Sequence, residues 1–186
     1  MRIQGKRLVL AILFASALLR AFAQTPAIDP AQLAKANAGD AASQVLVGDS
    51  YAAGKGVAQD LQQAAEWYRK AADKNDISGE LRLAALYRDG RGVTRDMAQA
   101  ADWYRKAAEQ GDASAQATLG VLYSMGQGVP HDDVEAYYWL DLAAAVQGPN
   151  QENYAANRQM VGTHLTAEEL AYAQERVAKW LAAHPR

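Results

Sequence analysis

Apolar and polar positions along this chain follow a pattern that returns every 36 residues. Its clearest copy is Asp60 to Ala72, DLQQAAEWYRKAA, which comes back as DMAQAADWYRKAA at 96–108 and more loosely as DDVEAYYWLDLAA at 132–144. Self-similarity at such a period marks a stacked array of supersecondary units. Within the first copy, Ala64, Trp67, Tyr68, Ala71 and Ala72 fall at i, i+3, i+4, i+7 and i+8. That spacing makes one apolar stripe on a helix. The alanines let a neighbour approach closely, and each buried aromatic covers roughly 150–250 Å² beside them. In the third copy the Trp-Tyr pair becomes Trp139-Leu140, still apolar. On the polar side, Glu66 with Lys70 and Asp102 with Lys106 have i,i+4 spacing, which predicts ion pairs worth roughly a few tenths of a kcal/mol.

A second helix is predicted ahead of each stripe. Val47, Gly48 and Tyr51 share one face, as do Leu83, Ala84 and Tyr87, and Leu119, Gly120 and Tyr123. Gly54, Gly90 and Gly126 are placed to end these helices in a left-handed conformation. Gly-x-Gly-Val then makes the turn, with Val57, Val93 or Val129 filling the gap beneath it. Asp60, Asp96 and Asp132 are placed to cap the helix that follows. Three helix hairpins result, at 40–75, 76–111 and 112–147, and the first two share fifteen identical positions. The fold class is all-α: an α-solenoid of three hairpin repeats.

Both ends depart from the repeat. Asp29-Pro30 starts a short helix over 31–38 that stops at Gly39. In phase it matches half a repeat, so residues 24–39 read as a lead and an N-terminal cap. After Gly148-Pro149 the pattern is lost and 148–186 reads as a C-terminal helical cap. A helix is expected over 151–160. Thr166 with Glu169 then forms a capping box for a helix of about fifteen residues, with Leu170, Ala173, Val177, Trp180 and Leu181 on one face.

The first residues change the picture of where the protein works. Arg2, Lys6 and Arg7 precede an apolar run from Leu8 to Leu19, and Ala21-Phe22-Ala23 is a small-x-small cleavage site. Residues 1–23 therefore read as an export signal, with the mature chain starting at Gln24. Retention of this segment as an anchor is the alternative. Of 19 basic and 21 acidic residues, the signal holds four basic ones and no acidic one, so the mature balance is 15 against 21, a net charge of −6. That balance argues against nucleic acid and against an anionic membrane surface as partners. Export would permit disulfides, but the chain has no cysteine, so its stability must come from packing.

With these motifs in view, the chain resembles the Sel1-like repeat proteins, relatives of the tetratricopeptide repeats with a slightly longer unit. The resemblance rests on VGDSYAAGKGVAQDLQQAAEWYRKAA, LAALYRDGRGVTRDMAQAADWYRKAA and LGVLYSMGQGVPHDDVEAYYWLDLAA, and covers residues 40–147. The segment LTAEELAYAQERVAKW resembles the closing segment of many bacterial members. Departures are Gly79 where the family favours Ala, Asn75 where it favours Gly, and Leu140 for Tyr. Gly79 is expected to soften its helix by about 1 kcal/mol relative to Ala. The resemblance implies an adaptor or scaffold, often periplasmic, that binds proteins or cell-envelope components. Some cysteine-rich relatives are linked to β-lactam binding or hydrolysis, a subgroup that a chain without cysteine matches poorly.

Each candidate for chemistry has a structural explanation. The Gly-x-Gly turns follow no strand and precede no Gly-Lys-Ser/Thr, so they read as turns and not as phosphate loops. Trp67, Trp103 and Trp139 lie at core spacing, which disfavours a sugar-stacking role. In His131-Asp132-Asp133 the middle residue is the recurring cap, and no other histidine is near in sequence, so no metal site is expected. His164 and His184 read as lone exposed residues, and Ser50 and Ser124 lack a histidine partner. Glu168 and Glu169 belong to the start of a helix. The expectation is a non-enzyme without cofactor or metal.

The remaining candidate is the wet face of the first helices, which lines the inner curve of a solenoid. It carries Leu46, Asp49 and Ala53, then Arg82, Ala85 and Asp89, then Thr118, Val121 and Met125. Packing gives no reason for these positions to vary, yet they do. Mixed charge with Leu, Val and Met suits a protein or peptide ligand. Other readings are a peptidoglycan- or polysaccharide-associated module, an immunity protein against a secreted toxin, and, less favoured, a β-lactamase-like hydrolase. Partner identity and oligomeric state are not encoded in any motif.

Overall fold

The structure is a computed structural model that describes residues 27–185. The expected export signal and its cleavage point lie outside the described residues. Among those residues nine helices and no strand are found: α1 Pro30–Asn37, α2 Ala41–Ala53, α3 Leu61–Ala72, α4 Ile77–Asp89, α5 Met97–Glu109, α6 Ala113–Met125, α7 Asp133–Ala144, α8 Gln151–Gly162 and α9 Ala167–Ala183. From α1 to α8 each helix packs on the next, and α9 returns to lie on α7. Alternate helices also touch, α2 with α4 and α6 with α8. The molecule is an all-α solenoid.

Aspartates start the helices. The Asp60, Asp96 and Asp132 carboxylates accept from the backbone N–H groups of Gln63, Gln99 and Glu135 at 3.0, 3.0 and 2.9 Å. Three further caps went unread in the sequence, although they share the same period. Asp40, Asp76 and Asp112 accept from Ser43, Gly79 and Ala115 at 2.7, 2.9 and 2.7 Å. Thr166 and Glu169 form the expected capping box at α9, which runs to 17 residues. Helices α2, α4 and α6 stop at Gly54, Gly90 and Gly126, with φ of 66°, 66° and 62°.

Trp67, Trp103 and Trp139 are buried at 7%, 8% and 6% exposure, so all three belong to the core. Ala64, Ala71, Ala100, Ala107, Ala136 and Ala143 beside them are fully buried. The glycines opposite are contact points. A Cβ on Gly48 would lie 2.5 Å from the Tyr68 ring, and one on Gly120 would lie 2.7 Å from Leu140 Cγ. A large apolar side chain on one helix, Tyr68 or Leu140, therefore meets bare backbone on its neighbour.

Two local expectations are corrected. Lys70 and Lys106 do not pair with Glu66 and Asp102. Each ammonium sits 3.8 Å from the ring centre of the tryptophan three residues earlier, Trp67 and Trp103. The ring quadrupole attracts the charge, and the lysine stem covers the edge of the indole. Asp102 pairs instead with Arg105 at 2.9 Å. Gly79 is not simply a soft spot either. An added Cβ would lie 2.8 Å from Ala71 Cβ and 2.9 Å from the Ala72 nitrogen, so the propensity gain of alanine is opposed by a clash.

Candidate functional site

Six of the residues singled out on the first helices line two separate cavities. Near the N-terminal end, Leu46, Asp49 and Ala53 of α2 line a cavity of about 420 Å³ together with Ile28, Gln32 and Lys55. Leu46 is 51% exposed. Asp49 is not free there. It accepts from Arg82 Nε at 2.6 Å, from Arg82 Nη2 at 2.9 Å and from the Tyr68 hydroxyl at 2.7 Å. Burial works to raise the Asp49 carboxyl, but these hydrogen bonds outweigh it and hold the group below its ordinary value. Burial and the Asp49 carboxylate push the Tyr68 phenol up. Arg82 and Asp49 thus tie the first repeat to the second. Ala85, between them and the next cavity, is half-buried.

Asp89, Thr118 and Val121 come together at a larger cavity of about 640 Å³. Its walls come from α4, the Gly-x-Gly turn after it, α5, α6 and α8. Ala117, Val121, Leu122 and Met97 supply apolar surface, while Thr118, Gln127 and Asn157 supply polar groups. Met125, 62% exposed, lies outside both cavities. The sequence reading missed Arg88, Arg95, Met97, Gln127 and Asn157. The available signal was the turn itself. Arg91 and Arg95 stand where the other two repeats have Lys55 and Gln59, or Gln127 and His131.

The electrostatics of this cavity are uneven. Arg88 is engaged: Nε and Nη2 donate to Asp89 at 2.8 and 3.1 Å, and Nη1 donates to the Tyr104 hydroxyl at 3.3 Å. The hydrogen bond from Arg88 holds the Asp89 carboxyl below its usual value against a small opposing effect of burial, and the charges of Arg91 and Arg95 add to it. One carboxylate therefore faces three guanidinium groups.

Arg–tyrosine contacts repeat along the stack. Arg69 donates to the Tyr87 hydroxyl, and its equivalent Arg105 donates to Tyr123 at 3.1 Å. Each spans from the second helix of one repeat to the first helix of the next. Elsewhere the fold joins groups distant in sequence. Asp133 sits between His131 Nε2 at 3.4 Å and His164 Nδ1 at 3.3 Å, so His164 is not isolated. Among the described residues, no group of three histidine, cysteine or carboxylate side chains is placed to hold a metal ion. The Ser50 and Ser124 hydroxyls donate to the carbonyls of Leu46 and Val121, both at 3.0 Å.

Helix hairpins repeated at one period, with neighbouring repeats tied by polar contacts, define an α-helical repeat protein as the class. Comparison with known proteins places it more closely. The Sel1 repeat matches at residues 41–76, 77–112 and 113–145, more than half of the chain, and the chain belongs to the Sel1 repeat family. It is similar to the crystal structure of c5321, a protective antigen present in uropathogenic Escherichia coli strains displaying an SLR fold. The TM-score is 0.70 at 34% identity, over 81% of this chain and 32% of that one. It is also similar to a Sel1 repeat protein from Oxalobacter formigenes, with a TM-score of 0.63 at 29% identity over 86% of this chain and 60% of that one. The chain thus spans under a third of the first relative's length and three fifths of the second's. No curated protein matches. Sel1 repeat proteins are generally protein-interaction scaffolds.

Proposed function

We propose that this chain is a non-catalytic adaptor of the cell envelope, exported to the periplasm after cleavage of residues 1–23. It holds a protein or peptide partner against the inner face formed by α4 and α6. Residues 24–39 and 148–186 close the two ends of the stack. The observation that carries this reading is the cavity of about 640 Å³, which gathers Asp89, Thr118 and Val121 from two repeats beside α8. A volume in this range suits a few side chains of a ligand, and its mix of apolar wall and sparse polar groups is that of a recognition site. The basic start and small-x-small site at Ala21–Ala23 support export.

Photo-crosslinking tests the binding reading. A photoreactive residue at Thr118, carried by the protein expressed in its own cells, is expected to capture a discrete partner band. A Val121→Lys change placed beside it should abolish that band while leaving the helical circular dichroism intact. Capture that is equal from an outer-face position such as Gln99 would reject the assignment of this face. Cell fractionation with N-terminal sequencing checks the export: the mature protein should begin at Gln24 in the periplasmic fraction.

A further inference from the structure

The larger cavity has a free cationic edge and an apolar floor side by side. Arg95 Nε donates to the Arg88 carbonyl at 3.0 Å, which fixes the side chain at the rim. Among the described residues its Nη groups have no hydrogen-bond partner, and Arg91 makes no ion pair. Among the described residues the one carboxylate lining the cavity, Asp89, is already held by Arg88. The floor beneath is Leu122, 4% exposed, and Ala117, 6% exposed, flanked by the half-buried Val121 and Met97. A surplus of positive charge at this one place stands out on a chain with 21 acidic and 19 basic residues.

We propose that the cavity recognises a segment of a partner protein in which an acidic residue stands next to an apolar one. The carboxylate meets the Arg95 Nη groups in the paired geometry that guanidinium and carboxylate favour. The apolar side chain rests on Val121, Leu122 and Met97. This rests on the reading of the chain as a protein-binding scaffold and names the chemistry of its ligand.

The surroundings disfavour other occupants. A basic segment would meet Arg91 and Arg95 without compensation. A sugar would find no aromatic ring among the lining residues to stack on. A free phosphate would find the nearest helix start, that of α5, already capped by Asp96, whose carboxylate accepts from Gln99 N at 3.0 Å.

A random peptide display library selected on the purified protein tests the proposal, with winners resynthesised as fluorescent peptides and titrated by anisotropy. Winners should pair Asp or Glu with an adjacent Leu, Ile, Val, Met or Phe. Arg95→Glu should weaken them by tenfold or more, on the order expected for reversing one charge at an ion pair. Arg95→Gln should weaken them less, and Val121→Lys should abolish binding. Circular dichroism confirms that each variant folds. Winners that compete at the cavity but lack acidic residues would overturn the acidic-apolar motif and leave the scaffold reading standing. Winners unaffected by both Arg95→Glu and Val121→Lys would overturn the motif and the binding face together. Displacement by inorganic phosphate beyond that by chloride at matched ionic strength would show a small-anion site and overturn the proposal.

Discussion

Glu80 breaks the rule that a buried position avoids a lone charge. It is fully buried in the core of the stack, at the position where the first and third repeats have Gln44 and Gln116. Those glutamines donate through Nε2 to the carbonyls of Ala36 and Ala108, at 3.0 and 3.1 Å. A carboxylate has no proton to donate. Glu80 Oε2 accepts from Gln110 Nε2 at 2.8 Å, but Oε1 has no partner. Burial pushes the Glu80 carboxyl up to about 7; the Lys106 ammonium and the Gln110 hydrogen bond oppose this, while Asp76 and Glu109 add to it. Protonated, Glu80 supplies the donor that the two glutamines supply. Below the ordinary glutamate value of 4.5 both folded and unfolded chains carry the proton, and burial brings no ionic penalty. Between 4.5 and about 7 the unfolded chain releases the proton first, so stability falls with rising pH and the loss is complete above about 7. Glu80→Gln should therefore stabilise the protein by about 2 kcal/mol near pH 8 and by little near pH 5. Urea denaturation of both proteins across pH reads this directly. A gain that is the same at every pH would mean that Glu80 is not the titrating group.

At the scale of the element, the short links between repeats share one backbone feature but not the residue that adopts it. Residues 39, 75 and 111 are equivalent, and all three adopt positive φ: Gly39 at 97°, Asn75 at 59° and Gly111 at 90°. Asparagine tolerates the left-handed region better than most residues, but glycine enters it without a Cβ penalty. Asn75→Gly should raise stability by about 0.5 kcal/mol, seen as a higher urea midpoint with an unchanged slope. A fall in the midpoint would show that the added freedom of the unfolded chain outweighs the relief of strain. Element boundaries of this kind were legible in the sequence because glycine, aspartate and the Trp-Tyr stripe recur at one period, and each has a single strong local preference. The lysine contacts were not legible. An i,i+4 acid and an i,i+3 indole compete for Lys70, and only the packed helix decides in favour of Trp67. The candidate site was legible in part. Asp89, Thr118 and Val121 could be placed on one face by helical phase. Asn157 lies outside the repeats, and Arg95 lies in a turn, so neither has a phase to read.

At the scale of the molecule, the question is how a repetitive stack ends. Arg69 and Arg105 each reach forward to a tyrosine of the next repeat, but the third equivalent is Asp141, and among the described residues no fourth repeat follows it. The contact is kept with its charge reversed: Arg158 of α8 donates to Asp141 at 2.6 Å. Helix α8 is thereby held on the face where a further repeat would dock, with Val161 and Gly162 against the apolar side of α7. Only Val161 of α8 is buried, so this one ion pair and a small apolar contact carry much of its attachment. Asp141→Arg restores the repeat pattern but sets two guanidinium groups against each other. Because a repeat touches only its neighbours, the damage should stay local. Hydrogen exchange is expected to rise in peptides from α8 while α2, α3 and α4 keep their protection. Loss of protection along the whole chain would instead show that the stack unfolds as one unit and that its end is as cooperative as its centre.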